Sequence, residues 1–349
     1  MPNPAPEHDL LLRAARGEHT PRTPVWLMRQ AGRYDPEYQR IRSASGLELE
    51  DLFCRPDYAA EITILPLRLG VDALILYQDI LTPLGPLGAP FVFRPGPLLE
   101  TPVRTPADVK QLEPYEVSEE LWFVPDSIHR VLDETGRRVP LIGFAGAPWT
   151  LAAFLIEGQS PGATGAQARS FLQDHPEAAH ELLGRLSDLT AAYLRMQIDA
   201  GVHIVQLFES CADLLTDEQY ETFALPYQQR VFDRIGDAVP RIIFAKAISN
   251  PDLLRRSGAE VLSLSEQADL AAARRDLPPS IAVQGNVDNQ LLLNGPPEAI
   301  DRAVFQCLEA GGGQGHILNL GHGILKGTPF EHVVRFINAA RQHAESAAR

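Results

Sequence analysis

Short apolar runs, many of them β-branched, recur along the chain between longer segments whose apolar residues fall at helical intervals. In order they are PVWLM (24–28), DALILY (72–77), VPLIGFAG (139–146), HIVQLFE (203–209), RIIFAK (241–246), EVLSLS (260–265), IAVQGN (281–286) and HILNLG (316–321). Near-continuous hydrophobicity of this length marks parallel strands covered on both faces. The intervals 57–70, 176–201, 217–236 and 297–313 carry spaced apolar faces, and several open with Asp or Pro and close with Gly, as helices do. Eight strands alternating with helices predict one closed (β/α)8 barrel spanning residues 1–349, with the ends (1–8 and 345–349) expected to be flexible. An open doubly wound sheet is the runner-up, but no Gly-rich dinucleotide turn follows the first run. No internal repeat is visible. Residues 82–102, TPLGPLGAPFVFRPGPLLETP, form a Gly/Pro-rich excursion after the second strand, read as a hairpin or lid on the rim, or as a plain surface insertion.

The stretch PVWLMRQAGRY (24–34) raises a chemical question. If it winds as a helical turn, Arg29 and Arg33 put two like charges on one face, which costs a few tenths of a kcal/mol unless an anion lies between them. Composition sharpens the point. The net charge is −14, which argues against nucleic acid as a partner, yet with only Lys110, Lys246 and Lys326 as lysines, 28 of the 31 cations are arginine. Five of them (Arg22, Arg29, Arg33, Arg40, Arg42) cluster in residues 21–42 against Asp35 and Glu37 alone. Arginine's planar fork suits carboxylates and phosphates, so the island reads as a focused anion site. The three cysteines, Cys54, Cys211 and Cys307, are odd in number and lack CxxC spacing, so a reducing, cytoplasmic setting is expected, without a disulfide framework or structural zinc. No basic-then-apolar leader opens the chain. Residues 139–156 carry no charge, but Pro140, Gly143, Gly146 and Pro148 suit strand and turn better than a membrane span.

In a barrel of this kind the chemistry belongs at the C-terminal strand ends. Those positions hold Arg29, Gln30 and Arg33, then Asp79, Glu209 and Ser210, Lys246, Gln284 and Asn286, and His322. Each has a plainer reading. Asp79 and Ser210 are possible helix caps, although ILTPLGP after Asp79 is not helical in pattern. Lys246 has the option of pairing with a neighbouring acid, and His322 lies between two glycines in a loop.

Together PVWLMRQAGRY, QDIL (78–81), GFAGAPWTLA (143–152), QLFES (206–210), VQGN (283–286) and NLGHG (319–323) resemble the uroporphyrinogen decarboxylase family, in order and over nearly the whole chain. The resemblance implies a cytosolic, cofactor-free homodimer with a (β/α)8 fold that strips carbon dioxide from the four acetates of uroporphyrinogen III. It implies that Asp79 stabilises a cationic pyrrole and that Arg29 holds the reacting carboxylate, with the proton donor left open. Arg33 and Arg42 would bind peripheral carboxylates, Gln30 and the 31–33 backbone (Ala31, Gly32, Arg33) would shape the pocket, Phe208 would pack on a pyrrole, and Ser210 and His322 would hydrogen-bond carboxylates. The order of acetate removal and the preference between isomers I and III are not implied. This chain departs from the family at Phe154, where a tyrosine is usual in the pocket, at Ser263–Leu270, which lacks the acid and the tryptophan that the family commonly carries after the sixth strand, and at Asn289, where proline is usual. Competing readings are a zinc-dependent methyltransferase, for which no H-x-C pair is present, a Schiff-base enzyme using Lys246, and a porphyrinogen-binding protein without activity.

Overall fold

All eight apolar runs form the parallel staves expected of them in the computed structural model, which describes residues 6–347. The strands are β1 (Leu74–Ile75), the hairpin pair β2 (Phe91–Phe93) and β3 (Pro97–Leu99), β4 (Leu141–Gly146), β5 (Ile204–Glu209), β6 (Arg241–Ala245), β7 (Val261–Ser263), β8 (Ala282–Gln284) and β9 (His316–Ile317). A seven-stranded parallel sheet runs β1-β4-β5-β6-β7-β8-β9. The first run closes it into a barrel: Leu318 N–H donates to Pro24 O (2.9 Å), and Asp72 N–H donates to Val25 O (2.8 Å). That stave is only a single bridge, Val25 to Leu318. Pro24 has no N–H to give, and the Val25 N–H goes to the Asp72 carboxylate (2.8 Å) rather than to a backbone carbonyl. Asp72 is held in turn by both arms of Arg22, at 2.7 and 2.6 Å.

Inside the barrel a polar layer lies among apolar ones. Trp26 Nε1 donates to Gln284 Oε1 (3.0 Å), and the Gln284 amide donates to Gln206 Oε1 (3.2 Å) and Ser263 Oγ (3.0 Å). Buried polar groups persist when they satisfy one another in this way.

The helices follow their sequence signals, with two revisions, the first being that 57–70 is α-helical only over Pro56–Ile64 and tightens to a 3-10 helix over Leu65–Leu69. Residues 217–236 form two helices, Asp217–Phe223 and Leu225–Ile235, because Pro226 cannot supply the next intrahelical N–H. The excursion at 82–102 is a hairpin, with Phe91 opposite Leu99. Residues 27–34 are not helical: Arg29 adopts a left-handed φ of 66°, and the helix begins only at Pro36, capped by Asp35. Part of the expected terminal flexibility is also revised. Pro6 is buried and His8 N–H bonds Arg138 O, while residues 345–347 continue the helix Phe330–Ala347. The remainder of that expectation, 1–5 and 348–349, lies outside the described residues.

Candidate active site

A cavity of about 350 Å³ opens at the C-terminal rim, where the first two staves, the hairpin and the ends of β4, β5 and β6 meet. It gathers Arg29, Ala31, Asp79, Phe154, Phe208, Ser210 and His322. Asp79 follows β1 after Leu76, Tyr77 and Gln78. Its Oδ1 accepts the Leu81 N–H at 2.8 Å, but the short 3-10 turn Thr82–Leu84 has Leu81 at its cap and no side-chain cap bond, so Asp79 is not the helix cap that its place after a strand suggested, and the rest of the carboxylate is left to the cavity. Burial raises its carboxyl to about 6, opposed by the Leu81 bond and by Arg29. Arg29 is exposed within the cleft, on the cavity wall. Burial lowers its guanidinium from the ordinary value, Asp79 works the other way, and Arg33 adds to the lowering. The left-handed backbone at Arg29 is uncommon for a side-chain-bearing residue and is the kind of strain that clusters at functional sites.

His322 shows why NLGHG needs its last glycine. A Cβ on Gly323 would stand 2.6 Å from Arg29 Cδ, so the arginine reaches the cavity only across a bare backbone. His322 Nδ1 accepts the Gly323 N–H (2.7 Å), which leaves the ring proton on Nε2 as a donor. Burial lowers the imidazole to about 4, helped by Arg29 and Lys246 and opposed by Asp213, so the ring is neutral at physiological pH.

The arginine island divides cleanly. Arg22 is spent on Asp72, and Arg40 on Glu37. Among the described residues, Arg29, Arg33 and Arg42 make no ion pair. The charge of Arg33 is felt at Arg29, and that of Arg42 at Tyr77 in the cavity wall, so both lie near the rim although neither lines the cavity. Gln30 does not line the cavity: it is 1% exposed, with Oε1 accepting from Leu27 N–H (3.1 Å) and Nε2 donating to Ala73 O (2.9 Å). It pegs the loop to the second stave. Gly32 stays off the cavity wall as well. Ser210 caps no helix, since the short turn Ala212–Leu214 has Cys211 at its cap and no side-chain bond there. Lys246 pairs with Asp213 at 2.7 Å, and Asn286 ties down the 265–268 loop, so neither belongs to the cavity.

Phe208, which the sequence reading had named, has two aromatic neighbours that escaped that reading, Phe144 and Phe244. Phe144, Phe208 and Phe244 come from adjacent strands and meet edge to face, at 5.5 and 5.8 Å between ring centroids, and His322 meets Phe244 the same way at 5.4 Å. The signal was present as a phenylalanine near the end of each run, in LIGFAG, VQLFE and IIFAK. Tyr77, Phe53 and Phe93 complete the aromatic lining. Aromatic faces around one carboxylate and one guanidinium suit a flat apolar ring bearing negative substituents. Among the described residues no group of three His, Cys, Asp or Glu side chains is placed to hold a metal ion, and no helix is long and apolar enough to cross a membrane.

A sequence model of the family described as uroporphyrinogen decarboxylase (URO-D) matches residues 6–343. The chain is 39% identical over 349 residues to the uroporphyrinogen decarboxylase of Microcystis aeruginosa, covering 97% of this chain and 98% of that one. It is 42% identical over 340 residues to the protein of that name from Myxococcus xanthus, covering 96% and 97%. Among solved structures, a methyltransferase from Methanosarcina mazei superposes with a TM-score of 0.82 at 19% identity, covering 97% and 99%; that likeness is one of fold.

Proposed function

The chain belongs to the uroporphyrinogen decarboxylase family and is a carboxy-lyase of porphyrin biosynthesis, and from that premise we propose that Asp79 drives removal of the four acetate carboxylates of uroporphyrinogen III to yield coproporphyrinogen III. The observation that carries the mechanism is a carboxylate with one oxygen fixed by Leu81 N–H, set among aromatic walls near an arginine that makes no ion pair among the described residues.

Breaking the bond from an acetate methylene to its carboxylate leaves an electron pair that needs an acceptor. Protonation of a pyrrole ring carbon turns the ring into that acceptor, an iminium-like cation that is neutralised as carbon dioxide leaves; a second proton then completes the methyl group, and loss of the first proton from the ring carbon restores the pyrrole. Asp79 accepts hydrogen bonds from the pyrrole N–H groups and opposes the developing positive charge. A preorganised group of this kind lowers a barrier by roughly 3–4 kcal/mol. Arg29 holds the reacting carboxylate. Its guanidinium is moved toward acidity by burial but starts from a very high value, so the proton donor is not assigned to it.

Arg33 and Arg42 take peripheral carboxylates, joined by the backbone N–H groups of Ala31, Gly32 and Arg33, which make no bond among the described residues. Ser210 and the Nε2–H of His322 donate to further carboxylate oxygens. Phe208 and Phe154 pack against pyrrole faces, and no step calls on a cofactor. The enzyme works in the cytoplasm, as a homodimer, with the whole chain as one barrel domain. Light scattering on purified protein tests the dimer.

The deciding experiment is anaerobic incubation with uroporphyrinogen III, resolving hepta- to tetracarboxylate products by chromatography. Stepwise appearance of the tetracarboxylate is expected. Binding without carbon dioxide release would leave a porphyrinogen-binding protein instead.

A further inference from the structure

Glu209 is a charged side chain that the chemistry above leaves unused. It ends β5, is 0% exposed, and stands between Phe208 and Ser210, both of which face the cavity. Its Oε1 accepts from the Thr150 N–H (2.8 Å) and the Thr150 hydroxyl (2.5 Å), and its Oε2 from the Gln228 amide (3.0 Å). Gln228 is itself oriented by the Tyr220 hydroxyl, which donates to its oxygen at 3.0 Å. Every partner is a neutral donor, and among the described residues Glu209 makes no ion pair. Burial pushes its carboxyl up to about 7, against the pull of the Thr150 and Gln228 bonds. A buried anion without a cation is a poor way to gain stability alone, and such groups mark functional sites more often than chance.

The geometry says what the anion holds. Thr150 is the third residue of the helix Pro148–Glu157, whose cap residue, Ala147, has no side-chain acceptor. Glu209 therefore caps that helix from the neighbouring strand. One turn beyond Thr150 the same helix places Phe154 on the cavity wall. The junction is laced further: Ala147 N–H donates to Phe208 O (2.9 Å), Cys211 N–H to Thr150 Oγ1 (3.2 Å), and Trp149 Nε1 to Cys211 O (2.9 Å).

We propose that Glu209 is a positioning residue for the decarboxylation: its carboxylate clamps the end of β5 to the first turn of the helix Pro148–Glu157, holding Phe208 and Ser210 at a set distance from Phe154 around the reacting pyrrole. The inference rests on the reading of the cavity given under Proposed function. Glu209→Gln keeps the side chain's length but turns an NH2 toward either the Thr150 donors or the Gln228 donor, so the clamp loses a bond. Thr150→Val removes the hydroxyl from the other side and leaves Glu209 in place.

In steady-state assays with uroporphyrinogen, both variants are expected to lose about tenfold in kcat with KM within about twofold, since small misplacements of supporting groups act on the chemical step. The folded fraction at the assay temperature, read by circular dichroism, should match wild type; a merely structural role would make activity loss follow unfolding instead. The inference is overturned if kcat per folded enzyme stays within about twofold of wild type in both variants, or if any loss tracks unfolding. If Glu209→Gln does not fold, Thr150→Val decides alone. An inactive wild type would remove the premise, whereas an active wild type with two unaffected variants removes only the clamp.

Discussion

Replacing Asp79 by Asn isolates charge from shape. The Asn Oδ1 still accepts the Leu81 N–H held at 2.8 Å, so the turn that aims the side chain survives. What is lost is a negative charge that, with its carboxyl at about 6, is about nine-tenths ionised at pH 7. A carboxylate roughly 4 Å from a unit positive charge, at an effective dielectric of about 20, is worth on the order of 4 kcal/mol. That agrees with what preorganised groups contribute in other sites, so kcat should fall by about 10² to 10³-fold. KM should move by less than about threefold, because Asn still offers an oxygen to the pyrrole N–H groups of the neutral ground state.

Stability should move the other way. The carboxyl is raised from 3.8 in the unfolded chain to about 6 in the fold, so its favourable contribution is complete below about pH 4 and is lost as pH rises through 6. Asp79→Asn escapes that loss and should be more stable at neutral pH by at most about 3 kcal/mol. Anaerobic turnover beside urea denaturation at pH 7 and pH 4 reads both effects, with the stability gain shrinking at pH 4. A variant that keeps more than about a tenth of wild-type kcat would refute the electrostatic role assigned to this carboxylate.

Other perturbations separate the remaining parts. Arg33→Ala and Arg42→Ala should each raise KM about fivefold with kcat within about twofold, the effect shrinking in high salt because these are rim charges; equal losses in kcat would contradict a purely binding role. Phe154→Tyr introduces a hydroxyl at the cavity wall and should raise kcat by about two- to tenfold, the range of one neutral hydrogen bond; an unchanged rate means that the hydroxyl finds no partner there. Asp72→Ala strips the Val25 N–H and both arms of Arg22 of their acceptor. It should cost on the order of 3 kcal/mol and lower Tm by several degrees, and a calorimetric Tm equal to wild type would show that barrel closure does not depend on this pair.

What was legible in the chain was whatever neighbouring residues encode. The eight staves were visible because a strand buried on both faces must be apolar throughout, and the helix ends because Pro, Asp and Gly act on the adjacent backbone. The split at Pro226 belongs to the same local class and was readable from the missing N–H. Contiguous motifs likewise pointed to Asp79, Phe208, Ser210 and His322 before their meeting in one cavity was known.

Other features depended on partners far away in sequence. Nothing near Arg22 distinguishes it from Arg33; Asp72, fifty residues on, neutralises one, and among the described residues no acid meets the other. Gln30 turned out to be a peg because Ala73 stands where its amide points. Glu209 looked like any strand-end acid until the fold brought it against Thr150 and Gln228. Periodicity and turn chemistry are properties of a short segment, whereas the ionisation, pairing and free valence of a side chain belong to its surroundings, which exist only once distant segments have packed together.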